Sequence, residues 1–295
     1  MNLKHCLCFL LILILTSQVK GQDRELTLFD LNYSFDKIKN DTINGHSNNI
    51  NAFINAPLMY NDSTLLAMKL EFGGRYQGNL GDYFNYNVFQ TDATFLWQKK
   101  MDEKNNFALI IKSGFYSDFQ DISFKDIRYG IGSYYNIKHS QKFATGWGFF
   151  YNKQFTAHQI TPLIFLKYNF HPKWELYGVF PVKPKLTYKF TDDLKWSIEL
   201  DGKVDSYRLS EKEYDNSIFE HSVLFGLSSI DVLVKKHHKF SFSLGYTFRQ
   251  DMKYYHDQAA NNWKLFIFDV SENTQPVSYI KTKLFRSMIR YSFVL

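Results

Sequence analysis

Apolar and polar residues alternate with period two along most of this chain, and that pattern constrains its fold more than any other feature. In residues 240–248, Phe240, Phe242, Leu244, Tyr246 and Phe248 fall on one face of an extended strand. Ser241, Ser243, Gly245 and Thr247 fall on the other. Residues 107–115 repeat this with Phe107, Leu109, Ile111 and Phe115 opposite Lys112 and Gly114. Residues 126–138 set Ile127, Tyr129, Ile131, Tyr135 and Ile137 against Arg128, Gly130 and Gly132. Residues 143–151, 160–170 and 196–205 do the same. The chain ends the same way: Ile289, Tyr291, Phe293 and Leu295 point one way, and Arg290, Ser292 and Val294 the other. The helical period of 3.6 is nowhere sustained. A soluble sheet can contain one such strand. Many in succession, the last with an aromatic-rich face running to the C-terminus, predict a transmembrane β-barrel closed by pairing of its last strand with its first.

Composition agrees with that expectation. Aromatic residues make up 18% of the chain, with 29 Phe and 20 Tyr. A soluble protein would have to bury those rings, whereas a barrel turns them to lipid and to both interfaces. The mean hydropathy of −0.33 looks soluble, because alternation hides the membrane face from any window average. At the N-terminus, Lys4 precedes an apolar run from Leu7 to Leu15, and Val19-Lys20-Gly21 offers a small residue for cleavage. We read residues 1–21 as a secretory signal peptide and 22–295 as one barrel domain. The apolar run is shorter than the roughly 20 residues a spanning helix needs. Cys6 and Cys8 are the only cysteines and sit too early for a lipoprotein signal, so the expected mature chain has no thiol or disulfide. The net charge of +6 falls to about +4 once Lys4 and Lys20 leave with the signal. That charge is dispersed, and it predicts no nucleic-acid partner.

Short polar turns are expected at 60–63, 100–105, 138–142, 171–173, 191–194 and 235–239. Longer segments alternate with them at 36–48, 77–85, 117–125, 153–158, 208–216 and 251–278. Threading the chain through both sets gives an all-β, antiparallel, up-and-down barrel of about 14 strands. Pro181 and Pro184 break 174–190 into two short strands, and the count falls to twelve if that hairpin does not span. The inward face then carries Lys69, Glu71, Arg75, Asp92, Lys112, Arg128, Lys167, Glu199, Asp201, Lys203, Asp205, Glu220, Arg249, Arg286 and Arg290. Both signs are present, and opposite charges facing each other would favour a polar plug over a wide pore.

Candidate chemistry is sparse. The neighbours His46-Ser47, His139-Ser140 and His221-Ser222 suggest a nucleophile with its base. Adjacent strand residues face opposite ways, however, and the other two pairs lie in a turn and a loop. His237-His238 has too few ligands for a metal and is flanked by lysines. Asp118, Asp121 and Asp126 could attract calcium, but their spacing is that of ordinary loop aspartates. Glu199, Asp201 and Asp205 share a face with Lys203 and fit a lumen lining better than acid–base catalysis. No catalytic residue, metal or cofactor is expected. The last long segment holds Tyr254, Tyr255, Trp263, Phe266 and Phe268, and its Lys264–Asp269 stretch can form an extra hairpin or fold inward as a plug.

The stretch Gly114 to Ile122 followed by Asp126-Ile127-Arg128, then Trp174, Leu176, Phe180-Pro181, Leu186 and Tyr188, then Asp205 to Ser210, resembles a domain-of-unknown-function family of Gram-negative outer-membrane barrels. The resemblance covers about 50–295. It implies a barrel and an outer-membrane address, and supplies no activity, ligand or catalytic residue. The expected partners are outer-membrane lipid and, through the C-terminal strand, the barrel-assembly machinery. A small polar solute of unknown identity is expected to pass through or bind in the lumen. The alternatives are a structural or surface-interaction barrel with a closed lumen and, less favoured, a lipid-modifying enzyme.

Overall fold

The computed structural model describes residues 26–39, 43–210, 216–256 and 261–295. The expected signal peptide, and 40–42, 211–215 and 257–260 within three expected loops, lie outside the described residues. Thirteen strands follow in order: β1 (Thr27–Lys39), β2 (Asn44–Tyr60), β3 (Thr64–Gly78), β4 (Asn87–Lys100), β5 (Asn105–Ser117), β6 (Ile127–Lys138), β7 (Phe143–Lys153), β8 (Ala157–His171), β9 (Trp174–Phe180), β10 (Lys183–Lys189), β11 (Leu194–Leu209), β12 (Ser217–Val234) and β13 (His238–Tyr255). A small hairpin, β14 (Asn262–Leu265) and β15 (Phe268–Ser271), precedes the last strand, β16 (Ser278–Val294). β1 to β13 and β16 form the barrel. Each pairs antiparallel with its neighbours, and β16 joins β13 on one side and β1 on the other. The closing seam runs in register from Phe29↔Phe293 to Asp36↔Arg286. Leu26 and Leu295 add a reciprocal pair of backbone hydrogen bonds at 3.1 and 3.0 Å. A closed ladder leaves no edge, which is what lets strands cross a bilayer.

The alternation decides the faces. On β1, Leu31, Tyr33 and Phe35 are exposed while Asp30, Ser34 and Asp36 are buried. On β13, Phe240, Phe242 and Leu244 are exposed between the buried Ser241 and Ser243. Apolar outside and polar inside is the arrangement of a transmembrane barrel and the reverse of a soluble domain. Rings gather at one rim, where Phe143, Tyr168, Phe170, Trp174, Tyr188 and Phe190 touch in succession at centroid distances of 4.8 to 6.1 Å. This rim carries the short turns. Asn61 Oδ1 accepts from the Ser63 and Thr64 N–H groups, Asp102 Oδ1 from those of Lys104 and Asn105, and Ser140 Oγ from those of Lys142 and Phe143. Such local side-chain acceptors are why these residue types make tight turns.

Two features reshape the opposite, long-loop end. First, strands extend into segments expected to be loops: β1 reaches Lys39, β2 starts at Asn44 and β13 reaches Tyr255. With up to 18 residues they exceed the roughly 9–11 needed to span. Their inward residues are polar, so in sequence they resemble loop. Second, β9 and β10 have only seven residues each. They pair with each other, with β8 and with β11, completing fourteen strands, but they stop short. Above them β8 takes β14 as a parallel neighbour, Asn262–Leu265 beside Ala157–Ile160. β11 continues upward and meets β5 on the far side, where Asp118 N–H donates to Arg208 O at 3.3 Å.

Candidate functional site

Because β11 reaches β5, the upper parts of β11 and β12 form a wall with two buried faces. Tyr207, Leu209 and Phe219 lie on one face and pack with Ile38, Tyr86, Tyr116, Met252 and Ile280, all at most 5% exposed. The Phe219 ring stands edge-on to Tyr86 at 5.3 Å and stacks on Tyr207 at 6.0 Å. This cluster packs apolar side chains from β1, β5, β13 and β16 against the wall at the long-loop end. The packing at this end is apolar, and the facing opposite charges lie below it.

The other face of the wall carries Gly202, Val204, Ser206, Arg208 and Glu220. It is covered by the β7–β8 connection and the β14–β15 hairpin. Ser206 Oγ donates to Gln154 Oε1 at 2.9 Å, and Gln154 Nε2 donates to Val204 O at 2.9 Å. Thr156 Oγ1 donates to the Glu220 carboxylate, which also pairs with Lys264 at 2.9 Å. Phe266 and Ile267, at the hairpin tip, are buried against Val204. Lys253 holds the hairpin through Asp269 at 2.9 Å and Glu272 at 2.7 Å, and Asp269 also pairs with Lys264. Burial works to raise the Asp269 carboxyl, but Lys264 and Lys253 beside it prevail and hold it below the usual carboxylate range. The hairpin is thus the inward fold that the Lys264–Asp269 stretch allowed.

Beneath the apolar stopper lies a charged layer. Asp36 accepts two bonds from Arg286, from Nε at 2.7 Å and Nη2 at 2.6 Å, and the Arg286 guanidinium lies over the Phe225 ring at 4.2 Å. Arg75 Nη1 donates to Ser47 Oγ at 3.3 Å, and its Nη2 donates to His221 Nδ1 at 3.1 Å. Asp92 accepts from the Tyr116 hydroxyl at 2.9 Å and pairs with Lys112 at 3.2 Å. Arg128 stacks on the Tyr116 ring at 3.9 Å, with Asp205 3.7 Å away, and Lys203 approaches Asp205 at 3.2 Å.

A cavity of about 510 Å³ opens below this layer. It runs from Arg75 and Tyr207 down to Thr27, Lys239 and Ser292 near the short turns. Lys69 and Glu71 meet at 2.5 Å on its wall. Lys183 bridges Glu199 and Asp201 at 3.4 and 3.1 Å, and Arg290 lies 3.8 Å from Asp30. Of the charged residues expected on the inward face, Lys69, Glu71, Arg75, Asp201, Lys203, Arg286 and Arg290 line this cavity. Asp92, Lys112, Arg128, Glu199 and Asp205 belong to the pairs around it. Lys167 is half-buried on β8 and makes no ion pair among the described residues.

Glu220 and Arg249 do not line the cavity and lie on the hairpin side of the wall. Glu220 lies on the hairpin side of β12, opposite His221. On β13 an extra residue enters between Thr247 and Gln250, shifting the register against both neighbours. Such a bulge flips the alternation above it. Arg249 pairs instead with Asp251 at 2.5 Å and lies over the Phe268 ring of the hairpin. Asp36, His221, Lys183 and Asp231 are interior residues the sequence reading missed. Asp36 lies in a segment expected to be a loop, and His221 neighbours Ser222, whose hydroxyl donates to Ile267 O at 3.4 Å. Continuing the β1 alternation past Phe35 would have found Asp36.

The other candidates resolve into structural contacts. Asp118 accepts from Ser210, and Asp126 caps the short 3-10 turn Phe124–Asp126 through Ser123 and pairs with Arg208 at 3.0 Å. Asp121 is exposed, 3.8 Å from the same arginine. His237 Nδ1 lies 3.0 Å from Val294 O and His238 Nδ1 2.9 Å from the Tyr291 hydroxyl, so both brace the closing strand. His139 Nε2 meets Thr145 Oγ1 at 2.7 Å, while Ser140 caps its own turn. Ile289 and Leu295 are exposed on the outward side of the seam and Arg290 faces the cavity.

No curated protein matches the chain. Among solved structures it is similar to the NanC porin in a rhombohedral crystal form, with 8% identity and a TM-score of 0.39 over 90% of this chain and 100% of that one. It is also similar to the KdgM porin in complex with disordered oligogalacturonate, with 10% identity and a TM-score of 0.36 over 90% and 98%. Residues 75–280 match the family described as a domain of unknown function, DUF6268. The chain belongs to the family of that domain, DUF6268.

Proposed function

We propose that this protein is a non-enzymatic outer-membrane barrel that binds small polar solutes in its lumen from the short-turn, periplasmic side and does not form a steadily open channel. The observation that carries the reading is the buried apolar cluster around Phe219 set above a charged cavity. Solutes could reach the cavity past Lys239 and Ser292, while the apolar cluster and the hairpin stop the long-loop end. The outward apolar face and the aromatic rim support contact with outer-membrane lipid. The closing strand, paired with β1 from Arg286 to Val294, fits delivery by barrel-assembly machinery.

Single cysteines test both the address and the sidedness. Cys6 and Cys8, in the expected signal peptide, are the only native ones. Phe124, 89% exposed at the long-loop end, and Lys239, at the short-turn end of the cavity, provide the two probes. A polymer-linked maleimide too large for porins is expected to label Phe124→Cys in intact cells. Lys239→Cys should react only after the outer membrane is permeabilised. Labelling of Lys239→Cys in intact cells would overturn the reading.

A further inference from the structure

We infer that the head of the cavity is a binding site for a small oxyanion, seated on the Arg75 guanidinium. The inference builds on the solute-binding reading above and adds the chemical class of the solute.

Every other arginine among the described residues has a carboxylate within ion-pair distance: Arg128 has Asp205, Arg208 has Asp126, Arg249 has Asp251, Arg286 has Asp36 and Arg290 has Asp30. Arg75 has none. It is only 5% exposed, and its side-chain partners are the Ser47 hydroxyl and a ring nitrogen of His221. Its Nε is buried without a partner. The Asp36 and Asp205 carboxylates act on it only from beyond ion-pair distance, and a buried cation without a contacting counter-charge is costly. A guanidinium presents a planar fork of donors that matches a carboxylate or phosphate.

The surroundings favour the same class. Eight basic side chains line the cavity against four acidic ones, Asp30, Glu71, Asp201 and Asp231. Adding Asp36, Glu199 and Asp205, which pair with lining residues from behind, still leaves the bases in excess. Arg286 contributes positive potential beside Arg75 while its own donors are taken by Asp36. The excess of bases leaves the cavity net positive around Arg75. A volume of about 510 Å³ is in the range that holds a small organic ligand.

Calorimetric titration of the detergent-solubilised full-length protein tests this, with inorganic phosphate, acetate and glucose as probes at constant ionic strength set by chloride. Saturable binding of phosphate, acetate or both is expected, and the two arms tell phosphate from carboxylate preference. Arg75→Gln should weaken that binding at least tenfold. His221→Glu supplies the guanidinium with the carboxylate it lacks. It should abolish anion binding while keeping a heat-resistant fold, so it carries the test if Arg75→Gln does not fold. Equal anion binding in wild type and His221→Glu overturns the inference, as does no saturable anion signal. Glucose binding without anion binding overturns the oxyanion assignment but leaves the solute-binding reading standing. Silence from all three probes counts against both.

Discussion

The ion pairs inside this barrel differ widely in what they contribute, and burial decides which matter. Asp36 is fully buried and holds Arg286 through two short bonds. Removing one partner leaves the other charge uncompensated in a medium that cannot hydrate it. Asp36→Asn is therefore expected to destabilise the barrel by about 3–5 kcal/mol, measured as a lowered urea midpoint for unfolding from lipid. The Lys69–Glu71 pair is no longer in distance but remains partly solvated, with side-chain exposures of 34% and 23%. Lys69→Met should cost about 0–1 kcal/mol. Equal losses in the two variants would mean that the upper layer is as wet as the cavity wall.

At the scale of elements, the shortness of β9 and β10 has the largest consequences. Their seven residues leave β8 and β11 without neighbours above, and the hairpin and β5 take up the vacated positions. At Gly202 the hairpin tip lies against the wall, since a Cβ there would collide with the Phe266 ring. Gly202→Val should push Phe266 and Ile267 out of their socket. Limited proteolysis is then expected to cut within 256–277 faster than in wild type, while the barrel keeps its heat-resistant migration. Unchanged cleavage would mean that the hairpin is not seated against β11. Much of this level is readable in the sequence. The turn residues Asn61, Asp102, Ser140 and Thr191 announce their turns, and Pro181 with Pro184 marks the short hairpin. The β13 bulge is not readable, because Phe248 and Arg249 continue an unbroken alternation on paper. The inward-facing polar ends of β1, β2 and β13 are equally hidden, because a charged residue such as Asp36 looks the same in a loop and in a lumen.

Across the whole molecule, the chain follows two rules on its two surfaces. Outward residues obey the membrane, apolar in a belt with rings at the rim, and the period-two pattern reveals them. Inward residues obey one another, and their partners come from strands distant in sequence, such as Arg75 with His221 or Asp36 with Arg286. No local pattern reports such pairings. That is why the barrel and its strand number can be read from the sequence while the stopper, the wall and the cavity cannot. The central claim is that the lumen is stopped at the long-loop end, and planar-bilayer recording of the purified protein tests it most directly. The structure predicts a quiet membrane, with no steady openings from the wild-type barrel. Large, long-lived conductance steps would contradict it.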